Sequence, residues 1–196
     1  ITLVDHDKVE LTNLQRQIMH SQNSIGKSKV ESGKQFLQSI NPTLTINAIA
    51  EKATENLLKE LLPSVNLALD CTDNFASRQL INAACFTHKV PLVSGSALKF
   101  DGQLSVFDFR SATSPCYACL FSPEEQFEED SCASMGIFSP LVGIIGAMQA
   151  AQALQVLIGF GQPLVGRMLL WNALNTQIDE IRISRNPACK VCGSQY

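Results

Sequence analysis

Two Cys-x-x-Cys pairs constrain this chain more than any other feature of its sequence. Cys116 and Cys119 lie in SPCYACL, and Cys189 and Cys192 lie in NPACKVCG. Zn²⁺ prefers four thiolates in a tetrahedron, and a two-residue spacer lets both thiolates of a pair face one ion. We therefore predict one shared four-cysteine zinc site with a structural role, which ties a mid-chain loop to the last residues of the chain. A disulfide within each pair, or two separate redox motifs, are the alternatives.

The composition is that of a single domain spanning residues 1–196. Of these residues 45% are hydrophobic and 17% are charged, which is enough to bury a core. A net charge of −3 gives no electrostatic reason to expect nucleic acid or an anionic membrane as a partner. Seven cysteines, an odd number that includes metal-type pairs, predict a reducing, cytoplasmic location. The apolar stretch from Ile137 to Phe160 is interrupted by Pro140 and by glutamines, which predicts a buried helix rather than a membrane span.

Strand and helix patterns alternate along the chain and predict an α/β fold, with a Rossmann-like, mostly parallel sheet flanked by helices and a C-terminal antiparallel extension. Residues 1–5 are typical of a strand, and Ser24 is the predicted N-cap of a helix that ends before Asn41-Pro42. The run 66–69, apolar after Asn66, predicts a strand buried on both faces. The other predicted elements are a strand at 43–49, helices at 54–62 and 75–88, and strands at 90–95, 103–109, 167–171 and 177–183.

Carboxylates end two of the predicted strands, Asp5 and Asp70. Ligands of open α/β sheets bind outside the carboxyl ends of the strands, where an acidic residue takes the ribose hydroxyls of a nucleotide. An Asp after a strand is equally a common turn residue. The usual companion, a G-x-G-x-x-G loop, does not occur in the sequence. Because the chain begins at Ile1 inside an apolar strand-like run, we expect a first strand and a glycine-rich loop upstream, in a longer protein.

The motifs LVDHDKVELTNLQRQ, GKSKVES, ALDCTDN, PLVSGSA and GQLSVF, followed by the second cysteine pair, occur in an order typical of one family. By these motifs the whole chain resembles the ThiF/MoeB/HesA family of adenylyltransferases for ubiquitin-like sulfur-carrier proteins. The family's phosphate loop and an upstream arginine supplied by the partner subunit have no counterpart here. The resemblance implies that the C-terminal glycine carboxylate of a small carrier attacks ATP, giving an acyl-adenylate and pyrophosphate, for thiamine or molybdopterin synthesis.

The resemblance also implies where ATP and Mg²⁺ bind. Asp5 would hold the ribose, Asn13 and Arg16 would contact the phosphates, and Lys29 would bridge phosphate oxygens. Asp73 would hold Mg²⁺. The implied nucleotide-binding residues are Asp5, Thr12, Asn13, Arg16, Lys29, Asp73 and Asn74. From the residues alone, Arg16 and Lys29 are equally ordinary solvated cations, and Asp73 or Asn74 is equally the N-cap of the next helix.

Arg16 and Asp73 are the implied catalytic residues, together with Cys132. In the thiamine branch of the family the cysteine that matches Cys132 becomes linked to the carrier, whereas in the molybdopterin branch it is dispensable for adenylation. A reactive thiol requires exposure and a lowered pKa. The acidic run before Cys132 raises that pKa, whereas a following helix N-terminus lowers it. A catalytic or sulfur-transfer role and a passive loop cysteine are therefore both open.

The partners implied by the resemblance are a small ubiquitin-fold sulfur carrier with a C-terminal glycine and a separate sulfur donor protein. The family is typically a homodimer built around central helices, and Gly143 and Gly146 would allow close packing of such a helix, either within the core or between subunits. Two other functions are compatible with the residues. One is a catalytically incomplete scaffold that binds the carrier, and the other is a dinucleotide-dependent oxidoreductase, from the alternating pattern and Asp5.

Overall fold

A computed structural model of the chain describes residues 1–124 and 136–193. Its internal contacts divide the chain into two compact units, Ile1–Thr54 and Glu55–Tyr196. Each unit is an α/β structure with its own sheet. The predicted α/β class with parallel and antiparallel parts is therefore confirmed, while the assignment of all 196 residues to one domain stays a prediction.

The first unit is built on one parallel strand pair. Strand β1 (Thr2–Val4) pairs in parallel with β2 (Asn47–Ile49), and helix α1 (Lys29–Ile40) joins them. The helix ends where Asn41-Pro42 predicted. Its predicted start at Ser24 is wrong, because Ser24 closes a separate 3-10 turn and its own hydroxyl donates to the carbonyl of Ser21 at 2.7 Å. A short polar side chain that bonds the nearby backbone in this way favours a turn over a helix start.

The second unit begins with alternating helices and strands that form another parallel pair. Helix α2 spans Glu55–Leu61, strand β3 spans Ala68–Asp70, helix α3 spans Phe75–His88 and strand β4 spans Leu92–Leu98. Strands β3 and β4 are parallel, as a strand-helix-strand unit requires. The predicted burial of β3 on both faces is wrong, since Leu69 is 48% exposed while Asp70 is only 1% exposed. The strand therefore directs a carboxylate, not a leucine, into the interior.

The sheet of the second unit continues with antiparallel strands. Strand β5 (Asp101–Phe107), β6 (Arg167–Asn172) and β7 (Gln177–Arg182) extend it in the order β3-β4-β5-β6-β7. All three added pairings are antiparallel, which confirms the predicted C-terminal extension. Between β5 and β6 lie the short helix α4 (Tyr117–Leu120) and the long helix α5 (Ser139–Ile158).

Helix α5 forms the layer behind β4 and β5. By length and composition alone it would also suit a membrane span. One face, which includes Leu141, Ile145 and Val156, is buried against the sheet. A Cβ at Gly102 of β5 would lie 2.6 Å from the Cδ1 of Ile145, so glycine is required there for the helix to approach. This face therefore contributes to the core of the second unit, and the predicted buried helix is confirmed for this face only, since Leu154 and Leu157 are exposed.

Candidate functional site

The four predicted metal ligands are brought together. Cys116 and Cys119 flank the start of α4, and Cys189 and Cys192 lie in the segment that follows β7. The Sγ atom of Cys116 lies 3.5 Å from that of Cys189 and 3.9 Å from that of Cys119, and Cys119 lies 3.3 Å from Cys192. A tetrahedron with Zn–S bonds of about 2.3 Å has edges of about 3.8 Å. The cluster therefore fits a shared zinc ion, and its sulfurs are too far apart for disulfides.

Backbone amides surround the sulfurs in the manner of a metal knuckle. The amide of Asn186 donates to Cys119 at 3.4 Å, and the amide of Val191 donates to Cys189 at 3.5 Å. A hydrogen bond from the Cys116 thiol, supported by backbone amides, lowers the pKa of Cys119 to about 4. Burial raises the pKa of Cys192 to about 12. Cys119 is thus the first thiolate of the cluster, and a divalent cation would favour deprotonation of the others.

Arg185 joins the two cysteine pairs from outside the cluster. Its guanidinium donates through Nε to the carbonyl of Cys192 at 3.0 Å, and through Nη2 to the same carbonyl. Its Nη1 donates to the carbonyl of Ala112, which precedes the first pair in the chain. Planar guanidinium forks of this kind fix the geometry of what they bridge. The sequence offered no signal for this role of Arg185.

In the first unit, Asp5 and Lys29 lie close together, with Asp7 as a third member that the sequence did not predict. The Nζ of Lys29 donates to Oδ2 of Asp7 at 2.7 Å and lies 4.0 Å from Oδ2 of Asp5. The hydrogen bond from Lys29 lowers the pKa of Asp7. Only 15% of the Lys29 side chain is exposed, which removes the interpretation of Lys29 as an ordinary solvated cation. An ammonium has three donors, so Lys29 keeps donors for a ligand while bonded to Asp7.

The other predicted phosphate contacts lie on a 3-10 turn, Leu11–Asn13, that follows β1. Asn13 is only 6% exposed, and its Oδ1 accepts from the amide of Glu10 at 2.9 Å. Thr12 is exposed, and Nη1 of Arg16 donates to its carbonyl at 3.0 Å. The turn therefore sets the position of Arg16 through backbone contacts. Direct phosphate contacts by Thr12, Asn13 and Arg16 stay predictions.

In the second unit, the sequence left open whether Asp73 or Asn74 is the N-cap of the helix. Asn74 is the N-cap of α3, and its Oδ1 accepts from the amide of Ser77 at 2.9 Å. Asp73 is exposed and is therefore not required as the cap. A single carboxylate beside substrate phosphates is the protein donor set that Mg²⁺ usually takes. The role of Asp73 as a Mg²⁺ ligand stays a prediction, as does the role of Cys132, which lies outside the described residues.

Three buried polar residues lie near Asp73: Asp70 was predicted at the end of its strand, whereas the roles of Arg78 and Gln149 were missed. Arg78 and Asp70 are 8% and 1% exposed, and Gln149 of α5 is 3% exposed. Arg78 lies one helical turn after the cap, and Gln149 is one of three glutamines in a mostly apolar helix. A buried amide requires a hydrogen-bond partner, but the sequence identifies neither which glutamine is buried nor its partner.

Known proteins share both the sequence and the fold of this chain. The chain matches the ThiF family over residues 1–191. It is 42% identical over 195 residues to the molybdopterin-synthase adenylyltransferase of Escherichia coli, covering 98% of this chain and 77% of that protein. It is 37% identical over 199 residues to the sulfur carrier protein adenylyltransferase of Thermus thermophilus, covering 100% of this chain and 73% of that protein.

Among solved structures, the fold is similar to that of E. coli MccB in a crystal structure with MccA-N7isoASN. The TM-score is 0.84 at 22% sequence identity. This chain is covered over 98% of its length but spans only 60% of that structure, and a likeness at this identity is one of fold. Together with the family match and the 42% identity to a named adenylyltransferase, it leads to one conclusion: this chain belongs to the ThiF family.

Proposed function

We propose that this chain is the adenylation part of an enzyme that activates a small ubiquitin-fold sulfur carrier. The C-terminal glycine carboxylate of the carrier attacks the α-phosphate of ATP. A bond forms between a carboxylate oxygen and the α-phosphorus, the bond from that phosphorus to the bridging oxygen breaks, and pyrophosphate leaves. The observation that carries this proposal is the match over nearly the whole chain to relatives named for adenylyl transfer.

The residues of the first unit supply what this reaction requires on the nucleotide side. Nucleotidyl transfer is catalysed mainly by positioning and by neutralising phosphate oxygens. Lys29, held by Asp7, and Arg16, held by the turn that carries Thr12, provide positive charge on supported side chains. Asp5 is the acceptor for the ribose hydroxyls, with Asn13 contributing to the phosphate contacts.

Asp73, supported by its place next to the cap residue Asn74, is the proposed ligand of Mg²⁺. When bound, Mg²⁺ would neutralise the triphosphate and the departing pyrophosphate. Asp73 holds an exposed carboxylate at the end of a structured loop. The four-cysteine cluster takes no part in this chemistry, since four protein ligands leave no open position on zinc.

The molybdopterin pathway is the better supported of the two predicted pathways. Two relatives at 41% and 42% identity are named molybdopterin-synthase adenylyltransferases. A thiamine-type carrier is the alternative. We propose a separate sulfur donor protein and a cytoplasmic location for either pathway, and Cys132 remains the candidate thiol for sulfur transfer.

A homodimer is proposed through the outer face of α5. Leu154 and Leu157 are 52% and 51% exposed there, and the exposed Gly143 and Gly146 have open space around them. An apolar face with small residues suits close packing against the same helix of a second copy. Sedimentation of Leu154→Asp should show monomers where the unchanged chain shows dimers. An unchanged dimer in that variant would contradict the proposal.

Carrier-dependent exchange of pyrophosphate into ATP tests the function in the full natural protein. We expect exchange with a molybdopterin-type carrier and a loss of roughly 100-fold or more in Asp73→Asn, on the scale of removing one electrostatic contact to the reacting phosphates. Glu60→Gln removes an exposed carboxylate elsewhere on the second unit and is the matched control. A folded, zinc-loaded protein without exchange would favour the scaffold function instead, and exchange with a thiamine-type carrier alone would change the pathway.

A further inference from the structure

The loop that follows β3 is held by hydrogen bonds to the buried carboxylate of Asp70. Asp70 is 1% exposed. Its Oδ1 accepts from the amide of Thr72 at 2.9 Å and from the Thr72 hydroxyl at 2.7 Å. Its Oδ2 accepts from the hydroxyl of Ser94 at 3.3 Å and lies 3.9 Å from Nη1 of Arg78. A buried carboxylate is stable only when its oxygens are bonded in this way, so Asp70 fixes the residue that precedes Asp73.

Arg78 reaches back from the first turn of α3 to the same loop. Its Nη2 donates to the carbonyl of Thr72 and, at 3.2 Å, to the carbonyl of Gly95 in β4. Its Nη1 donates to the hydroxyl of Ser94 at 3.4 Å. Arg78 thus joins the loop, the helix and the neighbouring strand, and its charge is balanced by Asp70 in the interior. The planar guanidinium makes these bonds in one fixed arrangement.

Gln149 of helix α5 also holds this loop. Its Nε2 donates to the carbonyl of Asp70 at 2.9 Å and to that of Val93 at 3.3 Å, and its Oε1 accepts from the Cys71 thiol at 3.6 Å. The amide reaches β4 because residue 95 is glycine. A Cβ at Gly95 would lie 2.3 Å from the Cδ of Gln149. The side chain is therefore locked between α5 and the strand ends.

These contacts leave Asp73 as an exposed carboxylate on a fixed backbone. Thr72 is held by Asp70 and Arg78 on one side, and Asn74 caps α3 on the other. Across residues 1–124 and 136–193, no side chain pairs with the carboxylate of Asp73. Fixing the backbone on both sides of an unpaired carboxylate is how proteins prepare a metal ligand before the metal arrives.

We propose that Arg78 and Gln149 are positioning residues for adenylation, which hold the Asp70–Asn74 loop so that Asp73 presents its carboxylate to Mg²⁺. This inference rests on the proposed function. Neither residue touches the metal or the nucleotide in the proposed reaction; each acts through Asp73. Loss of such supporting contacts usually costs roughly 10- to 100-fold in metal affinity or activity.

The test compares Gln149→Met with a variant of the same helix that leaves the loop untouched. Val156→Ala removes buried core contacts of α5 but no hydrogen bond to the loop. The first measurement is amide hydrogen exchange in the full protein without nucleotide or Mg²⁺. We expect residues 71–74 to exchange roughly 10-fold faster or more in Gln149→Met than in Val156→Ala. The second measurement is the Mg²⁺ concentration that gives half-maximal pyrophosphate exchange, which we expect to rise by about 10- to 100-fold in Gln149→Met alone.

Arg78→Lys provides the second variant, since it keeps the buried charge and loses the fork. We expect the same rise in Mg²⁺ requirement, with zinc content unchanged. If Gln149→Met and Arg78→Lys match Val156→Ala in both measurements while the unchanged protein is active, the positioning role is wrong and the proposed function stands. If the unchanged protein shows no exchange with any carrier, the proposed function fails and the positioning role fails with it.

Discussion

Replacing one thiolate of the four-cysteine cluster tests whether the two cysteine pairs form a single structural zinc site. In Cys189→Ser the cluster loses a sulfur that lies 3.5 Å from that of Cys116. The metal link between Cys119 and Cys189 closes a loop of about 70 residues. Closing such a loop lowers the chain entropy of the unfolded state and stabilises the fold by about 4 kcal/mol. We therefore expect the free energy of unfolding of the zinc-loaded protein to fall by about 4 kcal/mol, and zinc to be lost or bound weakly.

The assay combines zinc content per chain with urea unfolding in the presence and absence of a chelator. Chelation should destabilise the unchanged protein strongly and should have little further effect on Cys189→Ser, because the variant has already lost the link. Cys85→Ala is the matched control. Cys85 is fully buried but lies outside the cluster, so this variant should keep its zinc and its response to the chelator.

Two results would refute the reasoning about the shared site. One is a full complement of zinc in Cys189→Ser with unchanged affinity. The other is equal destabilisation of the variant and the unchanged protein by the chelator, which would place the metal elsewhere. Reduced stability with an unchanged zinc content would show that Cys189 acts through packing alone.

Three further predictions concern single substitutions of Asn74, Lys29 and Gly95. Asn74→Ala removes the helix cap and should cost about 1 kcal/mol in urea unfolding, whereas Asn74→Ser should recover most of it. Lys29→Met should raise the pKa of Asp7, measured by NMR titration, towards about 3.9; because Lys29 lowers that pKa, the pair stabilises the fold at neutral pH and loses its effect as the pH falls through the lowered value. Gly95→Ala forces the amide of Gln149 to move and should lower the free energy of unfolding by about 1 to 3 kcal/mol in the same assay. An unchanged unfolding midpoint would show that the surrounding side chains shift to accommodate the new methyl group.

Local signals in the sequence were sufficient to predict the features that particular residues or spacings mark directly. Helix α1 ends before Asn41-Pro42 because the residue before proline avoids helical geometry, and helix α3 occupies the predicted range of 75–88. The cysteine spacing was enough to predict that the four thiols lie together, because two-residue spacing restricts how thiolates converge. The family and the α/β class, both predicted from motifs and alternation, are confirmed by the comparisons.

The rest depends on contacts between residues distant in the chain. The predicted start of α1 is wrong because Ser24 is the last residue of a separate 3-10 turn and its hydroxyl bonds that turn. The exposure of Leu69 follows from the burial of Asp70, whose carboxylate is bonded by Thr72 and Ser94 and lies beside Arg78. The hydrophobic pattern alone assigns a polar residue to the surface. Buried polar residues that satisfy each other's hydrogen bonds therefore cannot be predicted until the arrangement of the strands and helices is known.

The order in which the four cysteines of the cluster are synthesised has a consequence for this protein in the cell. The thiols of the first pair precede their partners by 73 residues, and the strands of the described residues are complete before the second pair is made. At translation rates of about 5 to 20 residues per second, the first two thiols wait on the order of 4 to 15 s for the other half of their site. During that interval a neighbouring pair of free thiols is open to oxidation. We therefore expect oxidative stress to damage newly made chains more than finished molecules, in which zinc at the four thiolates would protect them.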